Sequence, residues 1–100
     1  MKVVVTPRAE ADIEHQHTWG VRRYGKHTAD RTYRRVAQFI EGTIAHRPRT
    51  GSCIKPPDIY ESWIPRTPSI VYYRVEDATD TVWVLALLHH AQDRRDFDPE

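Results

Sequence analysis

Cysteine is nearly absent from this chain. Cys53 is the only one, so no internal disulfide can form, and its Gly-Ser-Cys-Ile setting carries no signature of a catalytic thiol. Long apolar runs are missing too. The opening Val3-Val-Val5 is too short for a secretory leader, and nothing approaches the length of a membrane-spanning helix, so the expected location is the cytoplasm. There is no Gly-rich phosphate loop, zinc spacing, paired-carboxylate constellation or nucleophile elbow, and no repeat or low-complexity tract. No metal or cofactor is therefore expected. Net charge is also scarce, at +1, although the basic residues are uneven: residues 1–51 hold ten Lys/Arg against five Asp/Glu, and residues 52–100 hold five against nine. A basic first half permits an acidic partner, but so weak a balance does not establish one.

What is present is a chain of 100 residues with 39% hydrophobic and 29% charged residues and a mean hydropathy of -0.70. That length suits a single domain, residues 1–100, able to bury roughly two-thirds of its unfolded surface around one core.

The densest apolar stretch is the last third. Ile64 to Val75 and Thr81 to His90 are rich in Val, Ile, Tyr and Trp, and the polar interval Glu76-Asp-Ala-Thr-Asp80 joins them as a β-hairpin. Strict alternation puts Val71, Tyr73 and Val75 on one face with Val82, Val84, Ala86 and Leu88. The opposite face then holds Ile70, Tyr72, Arg74, Trp83, Leu85 and Leu87, which is too apolar for a solvated surface. Tyr72, Trp83, Leu85 and Leu87 are accordingly expected to lie partly exposed in the isolated chain and to be covered by a partner.

Upstream, Lys2 to Val5 reads as a short strand. Thr6-Pro7 opens a helix, with Thr6 as N-cap and Pro7 at its first position, and Gly25 ends it. A second helix follows from the spacing of Ala29, Tyr33, Val36, Ala37, Ile40 and Ile44, with Thr28 as N-cap and an end near His46. Residues 47–58, containing Pro56-Pro57, read as an irregular loop, Ile59 to Trp63 as a strand, and the tail after His90 as polar and loosely ordered. The sum is an α+β fold: an N-terminal strand, an antiparallel helical hairpin, then a three-stranded antiparallel sheet with the helices on one face.

Few residues suggest chemistry. His15 and His17 lie two apart, about 200° around a helix, which does not suit a shared metal. His89 and His90 end the last strand and are the weak catalytic candidates, lacking any visible partner to orient them. Arg66 in a Pro-flanked turn, Arg74 among tyrosines, and Arg94 and Arg95 in the tail are candidates for a target or phosphate, with Glu61 or Glu76 as the alternative partner for Arg74.

These residues also carry a resemblance. The opening Val5-Thr-Pro-Arg-Ala-Glu-Ala-Asp-Ile13, the helix end Ile44-Ala-His-Arg-Pro48, the run from Pro65 to Val75, and Val84-Leu-Ala-Leu-Leu-His-His-Ala-Gln92 resemble ParE-like toxins of the RelE/ParE superfamily, over nearly the whole chain. The resemblance implies a toxin of a type II toxin-antitoxin module that inhibits growth and is neutralised by a cognate antitoxin lying over apolar toxin surface. ParE-type members act on DNA gyrase, whereas RelE-type members cut mRNA on the ribosome. The chain departs from the nuclease pattern: Ile70 stands where a basic residue aligns, and Phe97 where a catalytic tyrosine would fall. Gyrase is the expected target. The alternatives are a RelE-like endoribonuclease using His89 or His90, and a non-toxic binding module of the same fold. A homodimer through an edge strand or the open hairpin face is compatible with the same surfaces.

Overall fold

The computed structural model describes all 100 residues, Met1–Glu100. Its elements are β1 (Lys2–Val5), α1 (Pro7–Tyr24), α2 (Lys26–Gln38), β2 (Ser52–Lys55), β3 (Ile59–Trp63), β4 (Ser69–Glu76) and β5 (Thr81–His89). The five strands form one sheet in the order β1-β5-β4-β3-β2, antiparallel except where β1 runs parallel to β5. The fold class is α+β as expected, with two strands more around the three-stranded centre: β1 joins the sheet, and β2 forms within residues expected to be a loop.

The start of α1 follows the sequence closely. Thr6 Oγ1 accepts the Ala9 N–H at 3.3 Å and donates to the Val84 carbonyl at 2.9 Å. One hydroxyl thus caps the helix and pins its first turn to β5. Gly25, at φ 92°, ends α1 in a conformation a side chain would resist, and the next helix starts at once. Gly25, not Thr28, is therefore the residue before α2, and Thr28 lies inside its first turn. α2 continues as a wider π-type segment, Phe39–Ile44, closed by the Ala45 N–H on the Ile40 carbonyl at 3.0 Å. The two helices touch closely at Gly20, where an added Cβ would lie 3.4 Å from that of Ala29.

The helices cover one face of the sheet. Ala9, Val36, Ile40 and Ile44 meet Tyr60, Val71, Tyr73, Val75, Val82, Val84 and Leu87 in the main core. Each fully buried Val, Ile or Leu there is stabilised by about 1.5–3 kcal/mol relative to exposure. Tyr33, expected on the buried stripe, is exposed, because its ring turns to an open cleft beside His17 of α1 instead of entering the core.

A bulge overturns the simple alternation in β5. Tyr73 pairs with Val84 and Tyr72 with Ala86, so Leu85 has no partner on β4. One extra residue reverses every side chain after it. Leu87 therefore points to the helices with Val82 and Val84, while Ala86 and Leu88 join Ile70 and Tyr72 on the outer face. Of the four residues expected to be exposed, Leu87 is 3% exposed for this reason, and only Trp83 and Leu85 are partly open.

Tyr72 is 1% exposed for a different reason. The C-terminal tail crosses the outer face, and Phe97 lies on Tyr72 with ring centroids 4.7 Å apart. Arg8 stands over Phe97 at 5.0 Å and donates to the Asp98 carbonyl at 3.0 Å. Glu100 ion-pairs with Arg74 and Lys55, and Arg74 Nε also lies 3.3 Å from Asp58 Oδ2. The polar tail is docked, not loose, and Arg74 is satisfied by Asp58 and Glu100 instead of Glu61 or Glu76.

β2 is held by a space only glycine leaves. A Cβ at Gly51 would fall 2.6 Å from both the Glu61 carbonyl oxygen and the Tyr73 hydroxyl. That hydroxyl is buried and donates to the Pro48 carbonyl at 2.6 Å. The strand itself, Ser-Cys-Ile-Lys, is exposed throughout, so no alternating pattern announced it.

Candidate functional site

At one end of the sheet, where β5 finishes, rings from three elements form a row. Tyr24 and Trp19 come from the last turns of α1, His89 and His90 from the end of β5, and Trp63 from the end of β3. Neighbouring centroids lie 5.8 Å apart for Tyr24–Trp19, 5.5 Å for Trp19–His89, 4.7 Å for His89–His90 and 6.3 Å for His90–Trp63. The last two pairs are stacked and the first two meet edge to face. Arg23 stands over both Trp19 and Tyr24, and Arg94 over Trp63 at 5.0 Å. The three large rings stay open to solvent, at 59% for Tyr24, 46% for Trp19 and 53% for Trp63. Apolar rings so clustered and exposed mark a binding surface.

The row is positioned by polar contacts between α1 and β5. Beyond Val84, β5 outruns the short β1 and has no strand on that side. α1 replaces it with side chains one turn apart: Asp12 accepts the Leu87 N–H at 3.0 Å, and Gln16 donates to the Leu87 carbonyl at 3.2 Å. Gln16 also accepts from the buried Ser69 hydroxyl at 2.8 Å. A cleft of about 300 Å³ opens between the helices and this end of the sheet, lined in part by Trp19, Tyr33, Ser69 and His89. Across it, His17 Nε2 meets Asp30 at 2.7 Å, tying α1 to α2, and Lys26 with His17 holds the Asp30 carboxyl down at about 2.

His89 is not arranged to accept a proton. His89 Nδ1 accepts the Ala91 N–H at 3.1 Å, which leaves the proton of the neutral ring on Nε2. Burial, reinforced by the adjacent His90, pushes the His89 pKa below its ordinary value. At neutral pH the ring is an uncharged donor without a free lone pair. His90 stacks with His89 and Trp63, and no carboxylate orients either ring.

The structure brings together only some of the candidate arginines. Arg94 reaches the row through Trp63 and also donates to Glu61 at 3.2 Å. Arg95 folds onto Asp93 at 2.7 Å, which holds that carboxyl below its usual range and raises the guanidinium. Arg66 occupies the turn before β4 at φ 61°, with its carbonyl accepting from Arg35 at 3.2 Å and its guanidinium unpaired. Arg74 lies toward the other end of β4, opposite Trp83, away from the histidines. On the outer face, the Tyr72 hydroxyl donates to Glu61 at 2.7 Å. Burial foremost, and then Glu61, push its pKa up, so the phenol is a poor base.

Trp19, Tyr24, Arg23 and Trp63 were not singled out by sequence. Their signal was weak: Trp19 and Tyr24 stand on a helix that is otherwise largely polar, and Trp63 closes an ordinary strand.

Residues 3–94 match the family model of the ParE toxin of the type II toxin-antitoxin system, parDE. No curated protein sequence matches the chain. Among solved structures, the chain is similar to one of the chromosomal ParDE system from P. aeruginosa, with a TM-score of 0.74 and 16% identity over 89% of this chain and 95% of that one. The toxin-antitoxin complex RelBE2 from Mycobacterium tuberculosis gives a TM-score of 0.67 and 21% identity, covering 88% and 95%. The intact E. coli RelBE toxin-antitoxin complex gives 0.57 and 16%, covering 92% and 98%. At these identities the structural likeness speaks for the fold.

Proposed function

This chain belongs to the ParE toxin family of type II toxin-antitoxin systems, and from that premise we propose that it inhibits growth by acting on DNA gyrase, in the cytoplasm, until a cognate antitoxin binds it. The observation that carries the reading is the ParE match over residues 3–94. The state of three of the proton-transfer candidates supports it, while the exposed His90 is the group left to the endoribonuclease reading. His89 is neutral with its lone pair engaged, Tyr72 is held protonated against Glu61, and Phe97, without a hydroxyl, occupies the tail. General acid-base cleavage needs a group that can take a proton within reach of the substrate. The antitoxin's contact surface includes the half-exposed Trp83 and Leu85 at the open part of the outer face.

The test is a supercoiling assay with purified chain and gyrase. Loss of supercoiling with accumulation of cleaved DNA, reversed by the antitoxin, is the expected result. Ribosome-dependent cutting of mRNA, abolished by His90→Ala, would replace this reading with the endoribonuclease. Unimpaired growth on inducing the chain without its partner would leave only the binding module.

A further inference from the structure

The row of rings meets a trough of about 700 Å³ that runs along α1 and the end of β5. Trp19 and Tyr24 form its aromatic wall, and Arg23, His15, His89 and Gln92 give its polar lining. Asp12 is the one acidic residue in that lining, and its Oδ2 already accepts the Leu87 N–H. Arg23, which makes no ion pair, therefore offers one cationic donor to an anion beside exposed aromatic surface. Further along the row, Trp63 repeats the pairing of open ring and guanidinium with Arg94.

We propose that this row and trough bind single-stranded nucleic acid, with unpaired bases stacking on Trp19 and Trp63 and the phosphate backbone passing Arg23. Stacking needs only the π-face that every base has, so recognition here is of strandedness more than of sequence. A duplex buries those faces in its own stack and cannot offer them. Binding involves no cleavage and no ribosome, and stands whether or not gyrase is the target.

Fluorescence anisotropy of a labelled strand of ten thymidines, titrated with the whole chain, tests the proposal. Saturable binding that weakens as salt rises is expected, because phosphate contacts release counterions. Trp19→Ala and Trp63→Ala should each weaken it about tenfold, the order of one lost base stack. Trp19→Phe should restore much of the affinity, and Arg23→Ala should lower the salt dependence. Ile54→Ala, exposed on β2 and off the row, should change nothing. Thermal unfolding of each variant separates lost binding from lost fold, and Trp63→Leu keeps bulk without the π-face should the alanine variant unfold.

Absence of binding, equal binding of a duplex of the same length, equal competition by thymidine monophosphate, or indifference to the tryptophan substitutions would each overturn the proposal. Row variants that lose gyrase inhibition in a chain that binds no oligonucleotide would assign the surface to a protein contact instead.

Discussion

On the helix side of the sheet, Val71, Tyr73, Val75, Val82, Val84 and Leu87 are sealed by side chains from α1, α2 and the segment after it. On the outer side, Ile70, Tyr72, Ala86 and Leu88 lie under one ring, Phe97, delivered by a tail held largely through ion pairs at its edges. The residue types facing the two sides are alike; their covers differ. Interdigitated apolar side chains resist removal because each leaves a cavity behind. A strap fastened by partly exposed ion pairs resists far less, since such pairs contribute little in water. The same sheet thus has a permanent face and a lightly held one.

That contrast can be broken in graded steps. Ile44→Ala, on the sealed side, should cost about 2–5 kcal/mol in denaturant unfolding, the range for truncating a buried isoleucine. A cost under about 1 kcal/mol would show that the helix-side core is looser than its packing implies.

Alkaline pH attacks the same face. Burial pushes the Tyr73 phenol up to about 12 from 10.0. The neutral phenol is favoured in the folded state, so its contribution is whole below pH 10 and is lost as pH rises through 12. Between those limits Tyr73 alone should lower stability by about 1.4 kcal/mol per pH unit, and Tyr73→Phe should remove that share while leaving the fall due to Tyr72, whose pKa is also raised.

Gly51→Ala should cost about 1–3 kcal/mol, the usual penalty for overpacking, because the new methyl would drive against the Glu61 carbonyl and the Tyr73 hydroxyl. Amide hydrogen exchange should rise first in β2. Phe97→Ala, on the lightly held face, should cost only about 0.5–1.5 kcal/mol, the worth of an aromatic pair beyond its area. Its clearer effect should be greater solvent access at Tyr72, measured by nitration or by quenching. If Phe97→Ala matches Ile44→Ala, the two faces are equally fixed and the contrast fails.

Much of the fold was legible because local chemistry agreed with it. Thr6-Pro7 and Gly25 set the ends of α1, and the spacing of Val36, Ile40 and Ile44 chose the buried face of the second helix. The hairpin was legible from composition, but its facing was not. The bulge at Leu85 inserts one residue without any glycine or proline to mark it, and one residue suffices to exchange Ala86 and Leu88 with Leu87. β2 was hidden because an edge strand exposed on both sides has no alternation to read. Tail docking was hidden because a lone Phe97 among aspartates gives no periodicity. Of the candidate site, His89, His90, Arg66 and Arg94 were visible as residue types at strand and turn ends. Trp19, Tyr24 and Trp63 were not, since their convergence exists only once α1, β3 and β5 are brought to one end of the sheet.

One small arrangement bears on the chain's life before it meets any partner. Asp12 and Gln16 occupy the hydrogen-bonding groups of Leu87 that would otherwise face outward past β1. An unpaired strand margin recruits further strands, from copies of itself as readily as from anything else. By filling that margin from a helix, which cannot in turn recruit another strand, the chain ends its own sheet there and gives a crowded polysome of identical nascent chains no template for growth at that border.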